Sequence, residues 1–125
     1  MVSAERHVTL LSGLSAIWGL FGVILLAMGG HGANAGLLTT SGQFLLFHGV
    51  AVLALSGRSD FAGWRLPLGC GLLLFGSGLF SGAIAFHVLL QSTRFIILTP
   101  LGGGLAIVGW TVLVAGIFFK PKQKA

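Results

Sequence analysis

Four long apolar runs, separated by short polar stretches, constrain this chain more than any other feature. They cover approximately residues 8–28, 41–57, 66–90 and 98–119. A membrane-spanning helix needs roughly 20 mostly apolar residues, and each run reaches or approaches that length. Because a backbone in lipid must satisfy its own hydrogen bonds, the runs should be helices. The sequence predicts an all-α, integral membrane four-helix bundle with short loops, forming a single transmembrane domain over residues 1–125.

Charge is scarce enough to exclude an ordinary soluble domain. The chain has seven Lys or Arg and two Asp or Glu among 125 residues, 7% in all, whereas a soluble domain carries roughly 25%. The net charge of +5 does not indicate nucleic-acid binding, because the basic residues are scattered singly except at the C-terminal tail. Cys70 is the single cysteine, so no internal disulfide can form.

The distribution of basic residues predicts an orientation. The connection that carries Arg94 would lie on one side of the membrane, and all other Lys and Arg on the opposite side: Arg6, Arg58, Arg65, Lys120, Lys122 and Lys124. Loops rich in Lys and Arg remain in the cytoplasm. We therefore expect a multi-pass protein of the bacterial inner (plasma) membrane with both termini cytoplasmic.

The stretch "LLAMGGHGANAG", residues 25–36, contains Ala33-Asn34-Ala35, which is similar to a signal-peptidase site. A cleavable signal has an apolar core of roughly 7–15 residues, and the preceding run of about 21 is too long for one. We interpret the stretch as the outer end of an uncleaved first helix, followed by a short loop.

Glycine is abundant, with 21 residues, and its placement predicts close helix packing. Lipid tails are as apolar as leucine, so membrane helices associate through small residues that let their backbones approach. Six glycines are predicted to serve this role: Gly19, Gly22, Gly78, Gly82, Gly102 and Gly109.

Several short motifs occur in a characteristic order. They are Gly29-Gly30-His31, Phe47-His48, Leu79-Phe80-Ser81-Gly82, Thr99-Pro100-Leu101-Gly102-Gly103 and Gly109-Trp110. In these motifs the chain resembles the YgdD-like family of small membrane proteins, the domain of unknown function four-two-three. The resemblance implies a four-helix integral membrane protein and supplies no activity.

Few polar residues lie near the membrane, and ionisable groups there are functional candidates. The candidate polar site comprises His31, His48, Gln43, Thr99 and Arg94. If the second span begins near residue 41, His48 lies about six residues, roughly 9 Å, inside its outer end. His31, His48 and His87 would then share the outer half of the bilayer. Thr99, followed by Pro100, is predicted to be the N-cap of the fourth helix.

Two interpretations of the histidines remain open. Each can be a neutral imidazole that bonds a neighbouring group and fixes helix packing. Alternatively, His31, His48 and His87 could bind a metal or haem. No carboxylate accompanies them, since Glu5 and Asp60 are the only acids and lie on the cytoplasmic side. We therefore expect no metal and no cofactor.

The same lack of acids argues against enzyme chemistry, because a serine hydrolase needs a carboxylate to orient its histidine. The sequence favours a non-catalytic packing partner, accessory subunit or lipid-interacting module. Its partners would be membrane lipids, other membrane proteins or a second copy, with no nucleic acid. The alternative is a binder of a small molecule, a proton, or a metal or haem through an outer-side polar cluster around His31 and His48.

Overall fold

Four helices make up the fold in a computed structural model that describes residues 2–58 and 63–119. They are α1 (Val2–Met28), α2 (Ala35–Ser56), α3 (Arg65–Leu90) and α4 (Leu98–Phe118). Each is long and apolar enough to cross a membrane, and the described ranges contain no strand. The predicted all-α membrane architecture with four spans is confirmed.

The two ends of the molecule differ in charge. We call the end that carries the α1–α2 and α3–α4 connections the Arg94 end, after its single arginine. The opposite end, called the Arg65 end, carries the α2–α3 connection together with Arg6, Arg58 and Arg65. Lys120, Lys122 and Lys124 lie outside the described residues.

Two helix beginnings differ from the sequence-based expectation. The second helix begins at Ala35 rather than near residue 41. Thr39 and Thr40 lie before the apolar run, but both are helical. The Thr39 hydroxyl donates to the Gly29 carbonyl at 3.4 Å. The N-cap assignment of Thr99 is wrong, since α4 begins at Leu98 after the N-cap Ile97, and no side chain caps it.

Glycines hold each helical hairpin together by backbone contact. In the α1–α2 pair, a Cβ atom placed on Gly22 would lie 2.9 Å from the Leu46 nitrogen, and one on Gly42 2.8 Å from the Gly22 oxygen. In the α3–α4 pair, a Cβ on Gly76 would lie 2.7 Å from the Ala106 nitrogen. Only glycine allows this approach, so the helices of each pair contact each other through their backbones.

The two hairpins join through α3. Ser41 of α2 and Ser81 of α3 form reciprocal bonds, each hydroxyl donating to the other's backbone carbonyl, at 3.0 and 2.8 Å. Helix α4 makes its close backbone contacts with α3, since none of its Cα atoms lies within 8 Å of a Cα of α1 or α2 in the described ranges, and it meets α2 through side chains. The bundle is therefore an open row of four helices in which α1 also touches α3.

The buried core follows this arrangement. Val52, Cys70, Leu73 and Leu113 are almost fully buried where α2, α3 and α4 meet. A second cluster of Leu25, Leu38 and Leu45 lies towards the Arg94 end. Trp18 packs against both clusters. It is therefore the side chain that connects the two parts of the interior.

The serine pairs provide a prediction about stability. Replacing Ser41 or Ser81 by alanine should each remove one interhelical bond, at a cost of about 0.6 kcal/mol and at most about 1.7 kcal/mol. The double variant should cost more than either single one, because each hydroxyl bonds a carbonyl that the other substitution leaves in place. Titration of the purified protein with a denaturing detergent would measure these free energies of unfolding.

Ser12 and Ser56 provide the matched comparison, because their two hydroxyls share one bond of 2.9 Å. Removing either hydroxyl removes that same bond, so Ser12→Ala, Ser56→Ala and the double variant should lose this contact equally. The loss of stability in the double variant should therefore exceed each single loss for Ser41 and Ser81, but not through this shared bond for Ser12 and Ser56. The same relation between single and double losses in both pairs would contradict the hydrogen-bond assignment.

Candidate functional site

A groove with a volume of about 440 Å³ lies between α1 and α3. One wall runs from Trp18 to Met28 of α1 and the other from Gly78 to Leu89 of α3, with Leu45 of α2 at its base. We call this feature the α1–α3 groove. It lies where α1 packs mainly along α2 and touches α3 less extensively.

The groove presents hydrocarbon almost exclusively, because its two polar side chains turn their polar atoms away. The Ser81 hydroxyl donates across the helix interface to the Ser41 carbonyl at 2.8 Å. The Trp18 indole N–H lies 2.9 Å from the Leu74 carbonyl and 3.0 Å from the Ser77 hydroxyl oxygen. An occupant would therefore meet no free hydrogen-bonding group on these side chains, so the groove fits an apolar ligand.

Two glycines of α3 shape the groove in different ways. A Cβ atom on Gly78 would lie 2.9 Å from Cζ2 of Trp18, so this glycine makes room for the indole. A Cβ atom on Gly82 would meet nothing within 4 Å. Gly82 thus contacts no other helix and leaves open space in the groove, whereas Gly102 and Gly109 approach the facing helix closely and Gly19 makes an ordinary contact.

The groove has the length of one lipid leaflet. From Met28 to Trp18 on α1, and from Leu89 to Gly78 on α3, the helix rise gives about 15–17 Å. The hydrocarbon core of a bilayer is about 30 Å thick, so one leaflet spans about 15 Å. The groove begins at the Arg94 end, where both of its helices finish, and Trp18 closes it near the middle of the membrane.

His48 lies elsewhere and has both ring nitrogens engaged. Its Nε2 accepts the indole N–H of Trp110 at 3.2 Å, because an indole nitrogen can only donate. Its Nδ1 therefore carries the proton and donates to the Phe44 carbonyl at 2.6 Å. The Phe44 ring in turn lies 4.1 Å from that of Phe80. This arrangement bridges α2, α3 and α4 by side chains and leaves no imidazole lone pair free.

The predicted polar residues lie on different elements of the structure. Because α2 begins at Ala35, His48 lies about 20 Å along the helix from that end, while His31 is exposed in the α1–α2 connection. Gln43 is exposed on α2. The Thr99 hydroxyl is buried without a hydrogen-bond partner, and Arg94 is exposed in the α3–α4 connection.

His87 lies in the last turn of α3. Its Nδ1 lies 3.2 Å from the Ser92 carbonyl, so it ties the last turn of α3 to the following connection. Within residues 2–58 and 63–119, no three His, Cys, Asp or Glu side chains are grouped closely enough to hold a metal ion.

Sequence reasoning assigned small residues of α3 to helix packing and did not predict the groove. In the sequence, Gly82 cannot be distinguished from the glycines that pack against a helix. It faces open space because α1 and α3 are separated at this position. Trp18 gave a signal that could have been used, since a large aromatic residue within the small-residue face of α1, near Ser15, Gly19 and Gly22, must fill a gap between helices.

Four membrane-length helices, hairpins packed by glycines and an apolar groove define a small multi-pass membrane protein. The chain belongs to the family described as protein of unknown function DUF423, whose model matches residues 15–103. This agrees with the resemblance seen in the sequence motifs.

Bacterial relatives of the chain are described as membrane proteins. The chain is 35% identical to a UPF0382 membrane protein of Haemophilus influenzae over 117 residues, which cover 84% of this chain and 90% of that protein. It is 37% identical to a UPF0382 membrane protein of Staphylococcus saprophyticus over 82 residues, 60% of this chain and 62% of that one. No solved structure matches the chain.

Proposed function

We propose that this protein is a non-catalytic, multi-pass module of the bacterial inner membrane that holds a hydrocarbon chain of a membrane lipid in the α1–α3 groove. The observation that carries the proposal is the surface of the groove. Trp18 and Ser81 direct their polar atoms into the protein, which leaves hydrocarbon facing outwards. A ligand with a polar group at this depth would lose its hydrogen bonds to water without replacement.

The size of the groove favours one chain over a larger occupant. Its length of about 15 Å matches a single leaflet. An α-helix with its side chains is about 10–12 Å across, whereas on the α3 wall Gly82 leaves open space and the Trp18 indole already fills the space beside Gly78. A lipid chain entering from the Arg94 end would fill this space and end against Trp18.

The polar alternative has less support from the geometry. A site around His31 and His48 would need the two imidazoles to face each other, but His48 lies about 20 Å along α2 from Ala35, and His31 precedes that end of the helix. Both nitrogens of His48 are already bonded. The function therefore rests on the groove.

Trp18 provides a fluorescent probe for the experiment. A variant carrying Trp64→Phe and Trp110→Phe keeps Trp18 as its only tryptophan. It is reconstituted into vesicles of phosphatidylcholine brominated near the ends of the acyl chains, because bromine quenches indole on contact. We expect strong quenching, since a chain in the groove places its end beside Trp18. Adding Gly82→Leu should remove much of that quenching by filling the groove.

Gly71→Leu is the matched control. Gly71 lies on the same helix, and a Cβ there also meets nothing within 4 Å, but the residue does not line the groove. Both substitutions replace a helical glycine by leucine, which favours the helix by up to about 1 kcal/mol. Quenching that Gly82→Leu leaves unchanged would contradict the proposal.

Two further measurements keep the proposal testable. Native mass spectrometry of the unmodified chain should show bound lipid that Gly82→Leu removes and Gly71→Leu retains. A second copy in the groove would instead give a disulfide-linked dimer of Ala85→Cys in a Cys70→Ala background, because Ala85 lines the groove. That outcome would mean that a second copy of the chain, rather than a lipid, occupies the groove.

A further inference from the structure

The connection between α3 and α4, residues 91–97, carries the one arginine of the Arg94 end. We infer that the lipid in the α1–α3 groove has an anionic phosphate head group and that Arg94 binds it. The inference rests on the proposed function, because it assigns the head group of the lipid whose chain the groove holds.

The Arg94 guanidinium is available to a ligand. The side chain is exposed, and within the described part of the chain its guanidinium makes no hydrogen bond or ion pair. Its carbon lies 5.8 Å from the centre of the Phe95 ring, and only its backbone nitrogen is bonded, to the Ser92 hydroxyl at 3.3 Å. A guanidinium presents five donors in a plane, which suits bidentate binding of a phosphate.

The residues after Arg94 place it at the level of the lipid head groups. Phe95, Ile96 and Ile97 are apolar and exposed, and a contiguous exposed apolar segment marks a surface that contacts a membrane or a partner. The Phe95 ring packs edge-on against Phe86 of α3, with ring centres 4.9 Å apart, and this contact fixes the connection against the helix. A cation beside an apolar segment is typical of the membrane interface.

Chain length limits the distance between Arg94 and the groove. Leu89 lines the groove at its Arg94 end, and the connection begins after Leu90. Even a fully extended chain would place Arg94 within about 18 Å of Leu89. The left-handed backbone of Gln91, with φ 50°, turns the chain at the end of the helix and shortens this distance.

Charge at this end favours an anion from outside the protein. The two acidic residues of the sequence are Glu5, in the first turn of α1, and Asp60, between α2 and α3. Glu5 belongs to the Arg65 end, and Asp60 lies outside the described residues. Within residues 2–58 and 63–119 no carboxylate pairs with Arg94, so an anionic lipid can supply its partner.

Competition measures the head-group preference. The single-tryptophan protein is placed in vesicles containing brominated phosphatidylcholine, and unbrominated phosphatidylglycerol or phosphatidylcholine with the same chains is added to relieve the quenching of Trp18. Phosphatidylglycerol should compete about fivefold better, the effect expected of one basic side chain near a membrane surface. Arg94→Gln should abolish this preference, and Arg94→Lys should retain part of it.

Arg6→Gln is the control, because it removes the same charge from an exposed arginine at the opposite end. A preference for phosphatidylglycerol that Arg94→Gln leaves intact would overturn the inference, even where quenching shows that a chain occupies the groove. If a low concentration of inorganic phosphate removed the preference for phosphatidylglycerol, the ligand of Arg94 would be a free anion rather than a lipid head group. Absence of groove-dependent quenching with either lipid would overturn the proposed function itself.

Discussion

Gly102→Val should destabilise the protein by about 3 kcal/mol or more, at the upper end of the range for overpacked interiors. A Cβ atom at Gly102 would overlap the backbone nitrogen of Phe80 and would lie 2.5 Å from the Gly76 oxygen. Neither atom belongs to a flexible side chain, so α4 can accept the substitution only by moving away from α3. Because α4 has no other close backbone contact in the described ranges, this movement would also strain its side-chain contact with α2 at His48.

The measurement is the free energy of unfolding in a detergent titration, with Gly104→Val as the control. Gly104 is two residues away on the same helix, and a Cβ there meets nothing within 4 Å. This control should change stability by less than about 0.5 kcal/mol. Similar losses for both variants would mean that the valine side chain itself, rather than the backbone contact, destabilises α4.

Trp18→Ala should be the most damaging truncation of a side chain, with an expected cost of about 3 kcal/mol. The indole packs against both buried clusters and donates towards the Leu74 carbonyl and the Ser77 hydroxyl of α3. Its removal leaves a cavity where α1 meets α3 and breaks the polar contact between these helices.

Two comparisons separate these contributions. Trp18→Phe keeps most of the packing and loses the hydrogen bonds. It should therefore lower the free energy of unfolding by about 0.6 kcal/mol, the value of an average interhelical bond. Trp64→Ala removes an exposed tryptophan outside the core and should have little effect. A small loss for Trp18→Ala in the same titration would show that lipid fills the cavity as well as the indole does.

The apolar runs predicted the number and type of the helices because lipid leaves the backbone no other way to satisfy its hydrogen bonds. They did not predict the beginning of α2, since the polar residues Thr39 and Thr40 break the apolar run but not the helix. An error of six residues moves His48 by about 9 Å along the axis. For this reason the histidines appeared to share one end of the bilayer.

The candidate site was harder to predict than the fold. Arg94 stood out in the sequence as the one basic residue of its end, and the structure leaves its side chain exposed. The groove, however, depends on the angle at which α1 leaves α3, and no residue pattern encodes that angle. Gly82 and Gly102 occur in similar motifs, yet one lines open space and the other touches a facing backbone.

The open row of helices has a consequence for the order of assembly. Gly22 and Gly42 join α1 to α2, and Gly76 and Gly102 join α3 to α4, so the closest backbone contacts lie between consecutive helices. Such local contacts cost little chain entropy to form. Each hairpin can close as it enters the membrane, before the other hairpin is present. The Ser41–Ser81 bonds and the Trp18 contact then form last, and the groove comes into existence only at that final docking.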